Sequence, residues 1–153
     1  MLTIHANAET SADPEAVIAA ARDFSEHRAV IWPNVKAGHF EVHASGETFV
    51  EATEYLWPLG FWERCRYEWP RADLVVATVL DSNVLAPDST WELTAIPIDG
   101  GTRVETVFQR EFARGARGRI AKAINHLAAR PALSADLRRA LANLESTLPG
   151  DPC

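Results

Sequence analysis

Asp99-Gly100 stands between two stretches whose side chains alternate in character, which marks a β-hairpin. Asp-Gly is a favoured pair for a two-residue type I′ turn, and that turn requires positive φ at both positions. With the turn there, Ala95 faces Val104, Leu93 faces Thr106, Trp91 faces Phe108 and Ser89 faces Arg110. One face then carries Trp91, Leu93, Ala95, Val104, Thr106 and Phe108. The other carries Glu92, Thr94, Arg103, Glu105 and Gln109, with Val107 as the exception. A slip of one residue would mix the faces, so the split specifies the register. Arg110 falls on the apolar face near the strand's end. A charge there either reaches solvent at a rim or meets a partner inside.

A second hairpin follows from the same reasoning. Residues 47–56 and 61–69 flank Trp57-Pro58-Leu59-Gly60. Placing Pro58 and Leu59 at the tip pairs Glu51 with Arg66, Thr53 with Arg64 and Tyr55 with Trp62, all favourable cross-strand neighbours. The opposite face pairs Thr48 with Trp69, Val50 with Tyr67, Ala52 with Cys65, and Glu54 with Glu63. Residues 74–82 form a strand that is apolar on both faces, so its parity stays open. Residues 36–44 alternate, with Phe40, Val42 and Ala44 on one side and His39, Glu41 and His43 on the other. Residues 2–9 form a further strand.

Helical signals lie before and after these strands. Asp13-Pro14-Glu15 is a helix start, with Asp13 as N-cap, and Val17, Ile18, Ala21 and Phe24 recur at helical spacing. Ser25 caps a second short helix ending before Trp32-Pro33. Beyond Phe112, residues Ile120, Ala123, Ile124, Leu127 and Ala128 share a helical face. Pro131 should kink or interrupt that helix. Ser134 caps a continuation carrying Leu137, Leu141 and Leu144, which ends before Pro149-Gly150. A sheet with one apolar face must cover it, and the last helix is the element long enough to do so. A curved sheet gripping one helix leaves room for a cavity.

Composition narrows the class. The 153 residues suit one domain, spanning 1–148 with a short tail at 149–153. With 47% hydrophobic residues the chain is globular. A net charge of −6 and no dominant basic run argue against nucleic acid as partner. Cys65 and Cys153 have no metal-ligand spacing, and a reduced, cytoplasmic setting fits them. No apolar run has the length for membrane insertion, and the first residues do not read as a signal peptide. There is no Ser/His/Asp or Cys/His constellation, phosphate-cradling loop or dinucleotide fingerprint, so no cofactor is expected. His39, Glu41 and His43 lie on a polar outer face where nothing completes a site, and no metal is expected either.

The order of elements resembles the START/Bet v 1-like (SRPBCC) superfamily and, within it, the polyketide cyclase/dehydrase-like families. The resemblance covers essentially the whole chain. It rests on "ADPEAV", "IWPNV", "WERCRYEWP", "DSNVLAPDSTWELTAIPIDGGTRVETVF" and "RGRIAKAINHLAARPALSADLRRALANLE". These are marks of fold and subfamily rather than of catalysis. The resemblance implies an α+β helix-grip fold: a curved seven-stranded antiparallel sheet wrapped around a long C-terminal helix, with two short helices between strands 1 and 2. It also implies a hydrophobic small molecule held between sheet and helix, with loops at one end gating the entrance. Carriers, receptors, aromatase/cyclases and chaperone co-factors share this fold, so function must be argued from the site.

The site residues follow from the registers. Glu54, Glu63 and Arg110 point inward at one end of the sheet. Two opposed carboxylates, partly desolvated, do not both ionise easily and titrate as a unit. Together they are a proton donor and acceptor, Tyr67 would orient a carbonyl, and Arg110 would stabilise negative charge or neutralise one carboxylate. The competing reading is a rim of solvated charges. Val50, Ala52, Trp69, Trp91, Leu93, Phe108, Ile124 and Leu127 are the expected ligand-binding walls. Trp57, Leu59, Asn83 and Leu85 are the expected entrance. The aromatic tip around Trp57 reads equally as a lid or as a homodimer contact. Arg114, Arg117 and Arg119 gather at a helix N-terminus, where the dipole disfavours cations. The expected function is binding of an aromatic, polyketide-like or lipid-like molecule, extended to cofactor-free cyclisation, dehydration or isomerisation if the protein is an enzyme. A non-catalytic carrier or sensor and a protein-interaction module are the alternatives.

Overall fold

The computed structural model describes residues 1–56 and 60–149. The chain runs β1 (Leu2–Thr10), α1 (Pro14–Arg22), α2 (His27–Ile31), β2 (Phe40–Ser45), β3 (Phe49–Leu56), β4 (Phe61–Arg71), β5 (Leu74–Ser82), β6 (Thr90–Ile98), β7 (Gly101–Arg110) and α3 (Ala116–Thr147). All seven strands form one sheet in the order β1-β7-β6-β5-β4-β3-β2, each antiparallel to its neighbours. The helix-grip architecture is therefore present as expected.

Both hairpin registers hold. Trp91 pairs with Phe108, Leu93 with Thr106 and Ala95 with Val104, while Glu54 pairs with Glu63 and Tyr55 with Trp62. The turn itself differs. Only Gly100 takes positive φ (81°) and Asp99 does not, which are the signs of a type II rather than a type I′ turn. Type II needs left-handed backbone only at its second central residue, so one glycine satisfies it. The next residue, Gly101, packs so closely on β1 that a Cβ there would collide with the Thr10 carbonyl oxygen. The parity of β5 is also settled: Val75, Ala77 and Val79 point into the core, and Leu80 points out.

Three local expectations change. β2 starts at Phe40 rather than Lys36 because Gly38, at φ 76°, turns the chain first, and the strand is exposed along most of its length. Asp13 precedes α1 without a side-chain cap bond. Pro131 does not divide the last helix, and Ser134 lies inside it rather than capping a second one. Pro131 forgoes the bond to the carbonyl of Leu127, and the side chain of Leu127 is 86% exposed. On that solvent-facing side water can satisfy the freed carbonyl, which lowers the cost of the proline.

The core lies at one end of the grip. Leu93, Ala95, Val104 and Thr102 on the sheet, Val17 and Ala21 on α1, and Leu137, Leu141 and Leu144 on α3 are buried. Polar bonds close this end. Thr102 donates to the Ala12 carbonyl (2.7 Å), Thr10 to Glu145 (2.6 Å), and Asn143 to the Ile31 carbonyl (2.9 Å).

Candidate functional site

At the other end the sheet and α3 part around a cavity of about 410 Å³. Its floor is Cys65 and Tyr67 of β4, Ala77 and Val79 of β5, Trp91 of β6, and Thr106 and Phe108 of β7. Its exposed lining residues are Asn34, after α2, and Ile124, Ala128 and Ala132 of α3. The mouth therefore lies between that loop and the helix.

Two polar groups interrupt the apolar walls. In the first, Arg28 of α2 donates to Oε1 of Glu54 through Nε (3.0 Å) and Nη2 (2.6 Å), and the Tyr67 hydroxyl donates to the same oxygen (2.9 Å). Arg28 and Glu54 are both buried. Burial disfavours the charge on Arg28, but Glu54 and Tyr67 outweigh it and hold its pKa above the ordinary value. Burial and the neighbouring Glu54 push the Tyr67 phenol well up, so it stays protonated.

In the second, Glu63 lies across the strand pair from Glu54 and near Arg110 of β7. Glu63 has accessible surface because it lines the cavity, yet protein surrounds it. That burial holds its carboxyl above the ordinary value; Arg110 opposes the rise and Glu54 adds to it. Burial in turn lowers the pKa of Arg110, and Glu63 works against that. Arg110 also donates to Oδ1 of Asn125 on α3, whose amide is anchored on the Ala121 carbonyl (2.8 Å). Burial raises the Cys65 thiol as well, helped by Glu63 and Glu54, so Cys65 behaves as an apolar wall and not a nucleophile.

The structure sorts the sequence-derived candidates. Glu54, Glu63, Tyr67 and Arg110 meet in the cavity, with Trp91, Phe108, Ile124 and Leu85 on its walls. Val50, Ala52 and Leu93 are instead buried in the hydrophobic core and do not line the cavity. Trp69 lies apart, donating to the Glu47 carbonyl (2.9 Å) with Arg22 stacked on its ring. Leu127 points to solvent, on a face of α3 turned away from the buried Ala121 and Ala129. Asn83 does not line the mouth; its side chain ties the β3–β4 hairpin through Trp62 N–H and the Gly60 carbonyl, both at 2.9 Å. Trp57 and Leu59 lie outside the described residues. Among those described, no cluster of His, Cys, Asp or Glu is arranged to hold a metal ion.

Sequence reasoning missed Arg28, Trp32 and Asn125. Arg28 had a signal: it stands three residues before Ile31, on the face of α2 that becomes buried. A second depression, about 640 Å³, lies at the β7–α3 junction and shares Arg110 with the cavity. Arg114, Arg119, Lys122 and His126 line it.

A family model described as polyketide cyclase / dehydrase and lipid transport matches residues 1–149. The chain belongs to this family. Among solved structures, the protein TTHA0849 from Thermus thermophilus superposes with a TM-score of 0.78 at 14% identity, covering 97% of this chain and 100% of that one. The Zhui aromatase/cyclase from Streptomyces sp. R1128 follows at 0.76 and 13% identity, covering 94% and 93%. A START superfamily protein from Mycobacterium smegmatis superposes at 0.66 and 12% identity, covering 90% and 96%. At such identities the shared property is the fold. No curated protein matches the sequence. Among the described residues no helix is long and apolar enough to cross a membrane.

Proposed function

We propose that the cavity binds an aromatic, polyketide-like molecule and that Glu63 dehydrates it by acid–base catalysis. The observation that carries this reading is a protonatable carboxyl on the wall of an otherwise largely apolar cavity, with its pKa raised by burial. Such a group can give up its proton near neutral pH. Glu63 would protonate a ligand hydroxyl, which leaves as water. The resulting carboxylate would then take the proton from the adjacent carbon, restoring the acid and leaving a double bond. Arg110, held by Asn125, would stabilise the carboxylate between the two transfers.

Glu54 takes a different role from Glu63 in this reading. Its Oε1 accepts three bonds from Arg28 and Tyr67, so it serves to hold those groups rather than to shuttle protons. Tyr67 spends its proton on Glu54 and presents only lone pairs to a ligand. The family match and the fold shared with an aromatase/cyclase support a ligand of this class.

The test uses a β-hydroxytetralone, which becomes a naphthol on loss of water. Wild type should release the naphthol, and Glu63→Gln should bind the ketone with similar affinity but turn it over at least about 100-fold more slowly. Equal turnover by both proteins removes Glu63 from the chemistry.

A further inference from the structure

The Arg28 guanidinium has one end unused. Nε and Nη2 are committed to Glu54, while Nη1 is buried and has no hydrogen-bond partner among the described residues. The plane of the group is held from the side by the Phe24 ring, 4.0 Å from Cζ, with the Tyr67 ring at 5.2 Å. Arg28 is 5% exposed and lines the cavity. A buried donor without an acceptor is costly, and more so when it is charged. An oxygen of a bound molecule would remove that cost.

Charged groups of both signs surround it. The titratable groups on the cavity wall are Arg28 from α2, Glu54 from β3, Glu63, Cys65 and Tyr67 from β4, Arg110 from β7 and Asp136 from α3; β5 and β6 supply none. Cys65 and Tyr67 stay neutral, and Asp136, at the α3 wall, has Arg139 beside it. Of the two arginines in the lining, Arg28 is the one whose pairing with Glu54 leaves a buried nitrogen over.

We propose that the cavity selects ligands bearing one anionic oxygen group, a carboxylate, enolate or phenolate, seated on Nη1 of Arg28. This rests on the reading of the cavity as a ligand site. It adds a specificity determinant on α2, whose one residue in the cavity lining is Arg28. Arg28 acts here as an anchor, since Glu54 and Phe24 set its position before any ligand arrives.

The experiment compares naphthoate with naphthamide, two probes of nearly equal shape, by calorimetry. Wild type should prefer naphthoate by about 10-fold or more, the size expected when one acceptor of a charged donor gains its own charge. Arg28→Met with Glu54→Leu removes both partners together, and should weaken naphthoate far more than naphthamide, so that the preference is lost. If that variant does not fold, Arg28→Lys serves, since it keeps a cation for Glu54 but has no second edge; it too should lose the preference. Lys122→Gln, in the outer depression, should retain it.

Equal binding of the two probes by wild type overturns the proposal. So does a preference that survives the Arg28 variants or vanishes with Lys122→Gln. Failure of the cavity reading looks different: neither probe binds, or naphthamide binds as well after Ala128→Trp narrows the mouth.

Discussion

The two halves of α3 live in different environments, although they are one helix. From Leu137 to Leu144 it presses Leu137, Ala140, Leu141 and Leu144 into the core, against α1, α2 and β1. From Ala116 to Leu127 it leaves Ile120, Ile124 and Leu127 substantially exposed, at 55%, 43% and 86%. The same contrast runs across the sheet. Toward the α1 end its inner face is filled by Leu93, Ala95 and Val104; toward the β3–β4 tip it holds charged side chains around the cavity. One end supplies the packing that makes the fold stable. The other end is under-packed, with a few charged groups set into largely apolar walls, as is common in binding cavities. A designer optimising stability would fill the second end, and the chain does not.

The strongest way to break this comparison is to show that the cavity end also carries stability through its charges. Removing one partner of a buried ion pair strands the other. Arg28→Met should therefore cost about 3–5 kcal/mol, read as a drop in the urea midpoint. Adding Glu54→Leu should recover most of that loss, since the pair itself contributes little net stability. If the double variant is as unstable as the single one, the pair is a structural keystone and the cavity end is not merely tolerated.

Next in size is the contrast within α3. Leu141→Ala should destabilise by about 2–5 kcal/mol, because the site is enclosed and cannot collapse fully. Ile124→Ala should change stability by no more than about 0.5 kcal/mol, as its side chain already meets solvent. Similar losses at both positions would show that α3 closes onto the sheet in solution along its whole length.

The smallest effect sharpens the assignment of Glu63. Below the ordinary carboxyl pKa, Glu63 is protonated in folded and unfolded chains alike. As pH rises the unfolded chain ionises first, because the folded value is raised. The folded state loses stability from there until the folded carboxyl has titrated too. Glutamine escapes that loss. Glu63→Gln should thus gain about 1 kcal/mol on wild type at mildly alkaline pH, and the gain should fade below about pH 4. A stability difference independent of pH would place Glu63 among solvated rim charges.

Much of the fold could be read directly because its rules are local. Asp99-Gly100 and the alternation around it set one register, and the pairs from Glu51–Arg66 to Tyr55–Trp62 set the other. Those registers alone put Glu54 opposite Glu63 and turned both, with Arg110, to the inner face. Neighbours in a hairpin are chosen by covalent connection and a period of two residues, so a short window of sequence contains the answer. What depends on elements meeting from afar was decided only by the tertiary structure. The parity of β5 rests on which side its neighbours leave buried, since its own residues are apolar on both. The exposure of Leu127 and the filling of Val50, Ala52 and Leu93 depend on where α3 stands over the sheet. The partner of Glu54 is Arg28, 26 residues away on a helix of five residues, while Arg110, expected to neutralise one of the two carboxylates, lies by Glu63. Helical and strand periods say which face a side chain takes; they carry no information about what stands across the gap, and a cavity is defined by that gap.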